Sequence, residues 1–254
     1  MLNCPPLRIA ALAALAVGLS GCGGGSGATG ASPSPSSTGA STPTTSSSGP
    51  TTTKSGPATT RSGPRTVAEV KSALLTLKDL PSGFAIEPTG SGDGAATSSN
   101  PKCGPLVKLT NVKKAPGSKA SAKVALSGGE SGPAVEESID ALASADAVKA
   151  LQTSFKSAVA ACSQLTVTIP GQGGFKVKVA EVSAPPYGEG TFAVRMTVTG
   201  GPVDGLEITQ VVAGVIDTIV FLEFVSAAPE DVDGVTEAAV GKAKEVLGRS
   251  TAGA

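Results

Sequence analysis

The sequence predicts an α+β domain, with helices packed on a mostly antiparallel, curved sheet and one disulfide. Apolar residues recur at helical spacing in three separate stretches, around 67–77, 148–162 and 232–246. Between the last two lies a run of segments whose apolar residues alternate with Thr, Lys or Arg, the pattern of strands with one wet face. Antiparallel sheets tolerate a wet face and parallel sheets do not, which decides the class.

The elements follow in order. Thr66-Val67-Ala68-Glu69 fits a capping box, and Val67, Val70, Leu74 and Leu77 form one apolar helix face that Pro81 ends. Gly83 to Glu87 reads as a short strand, 89–102 as a loose loop, and Cys103 as the start of an ordered segment. Ala120 to Ser127 and Ala134 to Leu142 are two strands around a Gly128-Gly129 turn. Ser144 caps a helix from Ala145 that carries Val148, Leu151, Phe155, Val159 and Cys162 on one stripe. Strands at Leu165–Ile169, Phe175–Val179 and Phe192–Val198 come next. Leu206–Ala213 and Thr218–Val225 are apolar on both sides and belong in the centre of the sheet. A final helix starts at Pro229, where Glu230 and Asp231 suit its positive end, and Gly248 stops it.

Composition narrows the function classes. Twenty basic residues balance twenty acidic ones, and one Tyr, six Phe and no Trp leave little surface for stacking bases, so nucleic acid is not expected as a partner. Before the domain, Arg8 supplies a positive charge, Ile9 to Leu19 an apolar core and Ser20-Gly21 small residues. Eleven apolar residues are too few to cross a hydrocarbon core, which needs about 20. The sequence Leu19-Ser20-Gly21-Cys22 resembles a bacterial lipobox. The resemblance implies removal of residues 1–21, lipidation of Cys22 with palmitate-type acyl chains, and residence on the outer face of the cell membrane. Residues 22–65 are Gly, Ser, Thr, Pro and Ala with few charges, a disordered tether reaching roughly 35–40 Å. Residues 66–248 form the single domain and 249–254 a tail.

Cys4 leaves with the leader and Cys22 takes lipid, so Cys103 and Cys162 remain as the expected disulfide of an exported protein. Closing that long loop is worth about 4 kcal/mol on chain entropy.

The opening Leu74-Leu75 helix with its Asp79-Leu80-Pro81 exit, the Ala145-Asp146-Ala147 helix ending in Cys162, and the strand meander before the last helix are similar to actinobacterial envelope lipoproteins and kinase sensor modules of the PknH-like extracellular domain family. That resemblance spans roughly 66–248 and implies a curved sheet with a cleft beside the helices and a ligand-sensing role. It brings no binding residues with it. The chain departs from the family in having one candidate disulfide where the sensor domains have two. No kinase domain is read in it, so sensing is expected to act through a partner.

Catalytic chemistry is not expected. Without histidine the chain lacks the usual general base and commonest metal ligand, and no cofactor or metal is expected. Gly25-Ser26-Gly27-Ala28-Thr29-Gly30 matches a dinucleotide fingerprint but lies in the tether, with no strand before it or helix after it. Glu136 and Asp140 share a strand face that is expected to be solvated. Glu137 stands on a face with Val135 and Ile139, and Glu223 on one with Phe221 and Val225. A carboxylate among apolar neighbours is costly unless paired. Each is a candidate polar anchor in a ligand cleft, or else an edge residue or the partner of a lysine. Tyr187, in Pro185-Pro186-Tyr187-Gly188, is a candidate partner contact or a ring folded over its turn.

Two readings follow. One is a non-enzymatic binding or sensing lipoprotein with a small apolar ligand, lipid or wall-derived. The other is a structural or accessory lipoprotein that docks an envelope protein or wall component. A dry cavity favours the first and an exposed apolar patch the second.

Overall fold

A computed structural model describes residues 63–89, 95–129, 132–169 and 173–249 of the protein. Cys22, the leader and nearly all of the tether lie outside the described residues. The nine strands run β1 (Ala85–Glu87), β2 (Ala95–Thr97), β3 (Ala120–Ser127), β4 (Ala134–Ala141), β5 (Gln164–Ile169), β6 (Gly173–Val182), β7 (Glu189–Thr199), β8 (Glu207–Val215) and β9 (Thr218–Val225). They form one sheet in the order β1-β3-β4-β9-β8-β7-β6-β5-β2, with every neighbouring pair antiparallel. The antiparallel sheet is as expected, and β8 and β9 lie at its centre, buried on both faces.

Helices cover both faces. Helices α1 (Val67–Ser72) and α4 (Pro229–Arg249) pack on one side, over Val135, Ile139, Val211, Leu222 and Phe224. Helices α2 (Gly104–Thr110) and α3 (Ala145–Ala160) pack on the other, over Val177, Val194, Val212 and Phe221. The disulfide between Cys103 and Cys162 ties the turn before α2 to the exit of α3, and both cysteines are buried. Among the described residues no helix is long and apolar enough to cross a membrane.

The first helix is shorter than its apolar spacing suggests. Thr66 and Glu69 make the expected reciprocal cap. The helix nevertheless stops at Ser72, because Ala73, Leu74 and Leu75 are all buried and a helix can bury only one stripe. The Leu75 N–H donates instead to Glu137 across the sheet (2.6 Å). Thr76 and Asp79 then start a separate 3-10 turn, Leu77–Asp79. Val67 and Leu77, expected in the core, are 57% and 43% exposed.

Strand β2, where a loop was expected, has no strand-forming composition. Its Ala96 is held at both backbone groups by the Asn111 side chain, and its register against Thr166–Thr168 completes the edge of the sheet. Arg65, the last residue of the expected tether, is buried. Its guanidinium bonds Asp217 in the β8–β9 turn (2.5 Å) and the Leu247 carbonyl near the end of α4 (3.2 Å).

Candidate functional site

Helical cover of the α2/α3 face is incomplete. Helix α3 lies over β6 to β9, and among the described residues no helix covers the adjoining half of β3, β4 and β9 on that face. Strand alternation places Ser121, Lys123, Glu136, Ser138, Asp140 and Glu223 there. Glu136 stands opposite Glu223, which stands opposite Gln210, so three polar residues form one row across β4, β9 and β8. Gln210 Nε2 donates to Glu223 (2.7 Å), and Lys123 Nζ lies 3.5 Å from Glu136. The face is not solvated as expected: the Glu136 side chain is only 14% exposed, and Asp140 and Glu223 are buried.

Two residues along β8 and β9 from this row, the surface turns apolar. Phe221, opposite Val212, opens a cleft between α3 and the segment that follows α2. Its walls are Leu109, Val112, Leu151, Phe155, Val212 and Phe221, with Phe155 packed against Phe221 at 6.3 Å between ring centres. The interior volume is about 20 Å³, room for one water. With its open mouth the cleft encloses about 320 Å³. Ser138 lies on the same face, opposite Phe221. It is 7% exposed and its Oγ has no hydrogen-bond partner. A second, polar groove of about 170 Å³ opens beside the disulfide, lined by Ser98, Asn100, Ser163, Gln164 and Thr166.

The structure separates the three expected ligand residues. Glu223 adjoins the cleft. Glu137 faces the opposite, α1/α4 side, where it is fully buried and serves the Leu75 N–H. Burial pushes its pKa up to about 8; the Leu75 hydrogen bond and Lys242 counter part of that rise and Asp79 adds to it. Asp79 itself loses solvent, but hydrogen bonds from Lys242 (2.6 Å) and Thr76 outweigh that loss and hold its carboxyl below the usual value. Tyr187 folds back on α4 and its hydroxyl bonds Asp233 (3.3 Å). Lost solvent, followed by the Asp233 and Glu237 carboxylates, raises its pKa.

Glu136 and Glu223 stand on directly opposed strand positions, and a glycosidase works with a pair of carboxylates. The cleft beside them is apolar and its interior has no room for a sugar ring, which does not suit glycoside hydrolysis. Among the described residues no group of three or more His, Cys, Asp or Glu side chains is placed to hold a metal. Reading the sequence missed Gln210 and Ser138. Gln210 had a signal, a lone amide within the apolar run 208–215, whereas Ser138 had none.

The arrangement defines a class before it suggests any particular relative: a helix-covered antiparallel sheet with an apolar cleft at the edge of its cover. The extracellular domain of PknH from Mycobacterium tuberculosis has a similar fold, with a TM-score of 0.53 and 17% sequence identity over 73% of this chain and 98% of that one. A putative uncharacterised protein of Mycobacterium smegmatis aligns with a TM-score of 0.39 and 13% identity, over 70% of this chain and 95% of that one. No protein-family model and no curated relative matches the chain.

Proposed function

We propose that the chain is a non-enzymatic extracytoplasmic binding or sensing module, anchored to the outer membrane face through lipid on Cys22, whose ligand site is the cleft between α3 and β8–β9. The observation that carries this reading is the apolar slot walled by Leu151, Phe155 and Phe221, set where helical cover stops and beside polar groups that can orient a ligand. The fold it shares with the PknH extracellular domain supports an extracytoplasmic setting. Native mass spectrometry of the full-length protein purified gently from its own envelope tests the site. A bound adduct of discrete mass that Phe221→Ala abolishes is the expected result; an apo mass that persists after adding envelope lipid extract overturns it. Anchoring is tested separately: Cys22→Ala moves the protein from the membrane fraction to the supernatant, and retention at the membrane refutes lipidation.

One observation favours the docking reading. Val67, Leu77 and Ile86 are large, exposed and apolar, and all fall within residues 63–89, the first described stretch of chain. Crosslinking in cells through a photoreactive residue at position 86 distinguishes the two: capture of one envelope protein, with no ligand adduct, replaces the cleft with a docking surface.

A further inference from the structure

The balance of twenty basic and twenty acidic residues hides a segregation along the chain. Residues 95–119 hold five lysines and residues 161–180 hold two, with no aspartate or glutamate in either stretch. The fold brings the two stretches together: β2 pairs with β5, α2 packs on β2, and the Cys103–Cys162 bond joins them. On the opposite side of the sheet α1 and α4 pack on β3, β4, β8 and β9, while Lys176 and Lys178 of β6 point to that side and are exposed. Strand register sets them in two rows across β5, β6 and β7, Thr166–Lys176–Thr199 and Gln164–Lys178–Thr197. The two lysines stand about 7 Å apart along the strand. Neither pairs with a carboxylate among the described residues. Glu207, opposite Thr197 at the far end of one row, lies 3.7 Å from Arg195. At the β5 end of the same rows opens the polar groove of about 170 Å³, where Gln164 and Thr166 meet Ser98, Asn100 and Ser163. These five side chains are neutral hydroxyls and amides, groups that both donate and accept. No aromatic ring lines the groove or the rows, so bases find nothing to stack on. The rows also hold no apolar side chain to enter a lipid surface.

We propose that this edge of the sheet binds an anionic polysaccharide, with Lys176 and Lys178 holding its acidic groups and the adjoining groove taking the hydroxyls of a sugar unit. The surface is separate from the α3 cleft and does not depend on it. One exposed ion pair is weak and is screened by salt, so two lysines in register favour a ligand whose charge repeats along a chain over a single small anion. The groove then distinguishes a glycan from any other polyanion, because its hydroxyls and amides match a ligand that is itself covered with hydroxyls.

Titration calorimetry on the full-length protein with polygalacturonate, dextran and polyglutamate tests each half of the proposal. Polygalacturonate, a charged glycan, is expected to bind severalfold more tightly than either neutral dextran or sugar-free polyglutamate, and to weaken as salt rises. Lys176→Gln/Lys178→Gln weakens polygalacturonate by roughly tenfold. Lys71→Gln/Lys149→Gln removes two exposed charges elsewhere and leaves that binding unchanged. All four lysines are exposed, so both variants are expected to keep the urea midpoint of the unaltered protein. Gln164→Ala weakens polygalacturonate severalfold and leaves polyglutamate unaffected. Absent polygalacturonate binding, or equal loss in the two double variants, overturns the site. Polyglutamate binding as tightly as polygalacturonate overturns the glycan assignment, and dextran doing so overturns the role of the lysines. None of these outcomes touches Phe221, so the cleft reading stands or falls by its own test.

Discussion

The two faces of the sheet are sealed by different means. On the α1/α4 face the chain closes with buried or half-buried polar groups that each serve a backbone group or a counter-ion: Glu137 takes the Leu75 N–H, Arg65 bridges Asp217 and the Leu247 carbonyl, and half-buried Lys242 holds Asp79. On the α2/α3 face a covalent bond and a side-chain amide hold the helices, and the cover ends before the sheet does. The first face is covered by α1 and α4, although Glu137 Oε1 and Arg65 Nη2 meet no hydrogen-bond partner there. The second leaves an apolar slot beside a polar row, and it is there that we propose the binding site.

The disulfide gives the sharpest test of that contrast. Cys103 and Cys162 are 59 positions apart, and the loop they close is worth about 4 kcal/mol on chain entropy. The double substitution Cys103→Ala/Cys162→Ala is expected to cost about that much in urea unfolding. Hydrogen exchange then shows lost protection in α2 and β2, with α1 and α4 retaining theirs. Equal loss on both faces would mean that the two sides are not separately held.

Glu137 tests the opposite face through pH. Its ordinary pKa is 4.5 and burial raises it to about 8 in the folded protein. Below pH 4.5 both folded and unfolded chains carry the proton, so its contribution is complete there. Between 4.5 and 8 the unfolded chain releases the proton while the folded one keeps it, so stability falls as pH rises, by about 1.4 kcal/mol per unit for one proton. Above 8 the effect levels off. Glu137→Gln keeps an acceptor for Leu75 and removes the titration. Its urea midpoint is expected to stay level between pH 5 and 8 while that of the unaltered protein declines. Parallel curves for the two proteins would rule this out.

What the sequence makes legible follows from how local each signal is. Strands β6 and β7 are written in single alternations, Phe175-Val177-Val179 and Phe192-Val194-Met196-Val198, and both are where those patterns put them. Cys103 and Cys162 were readable by elimination once the leader was set aside. The early end of α1 was not, because the carboxylate that takes the Leu75 N–H stands 62 residues further on. Nor was β2, whose Ala95-Ala96-Thr97 becomes a strand only through Asn111 and the edge of β5. The cleft is assembled from four distant stretches around 109–116, 151–155, 212 and 219–221, and no spacing along the chain announces it. Glu223 stood out because a single strand pattern marked it as misplaced; the row it belongs to needed the register of three strands.

The smallest effects separate buried from exposed polar contacts within α3 itself. Strand β7 bulges between Glu189 and Phe192, with Gly190 at φ +59°, and the bulge turns two carbonyls toward the helix. Gln152 Nε2 donates to both, at 2.7 Å to Glu189 and 3.2 Å to Gly190, and the side chain is nearly sealed from solvent. Gln152→Ala leaves those carbonyls short of a donor in a closed place and is expected to cost about 1–2 kcal/mol. One turn along the same helix, Lys156 pairs with Glu181 at 2.9 Å, but the two side chains are 58% and 43% exposed. Water and salt screen that pair, so Lys156→Ala is expected to change stability by no more than about 0.5 kcal/mol. Urea denaturation of the two variants side by side checks the difference. If Lys156→Ala costs as much as Gln152→Ala, α3 is held by its rim rather than by the bulge beneath it, and the sealed character assigned to this part of the face is wrong.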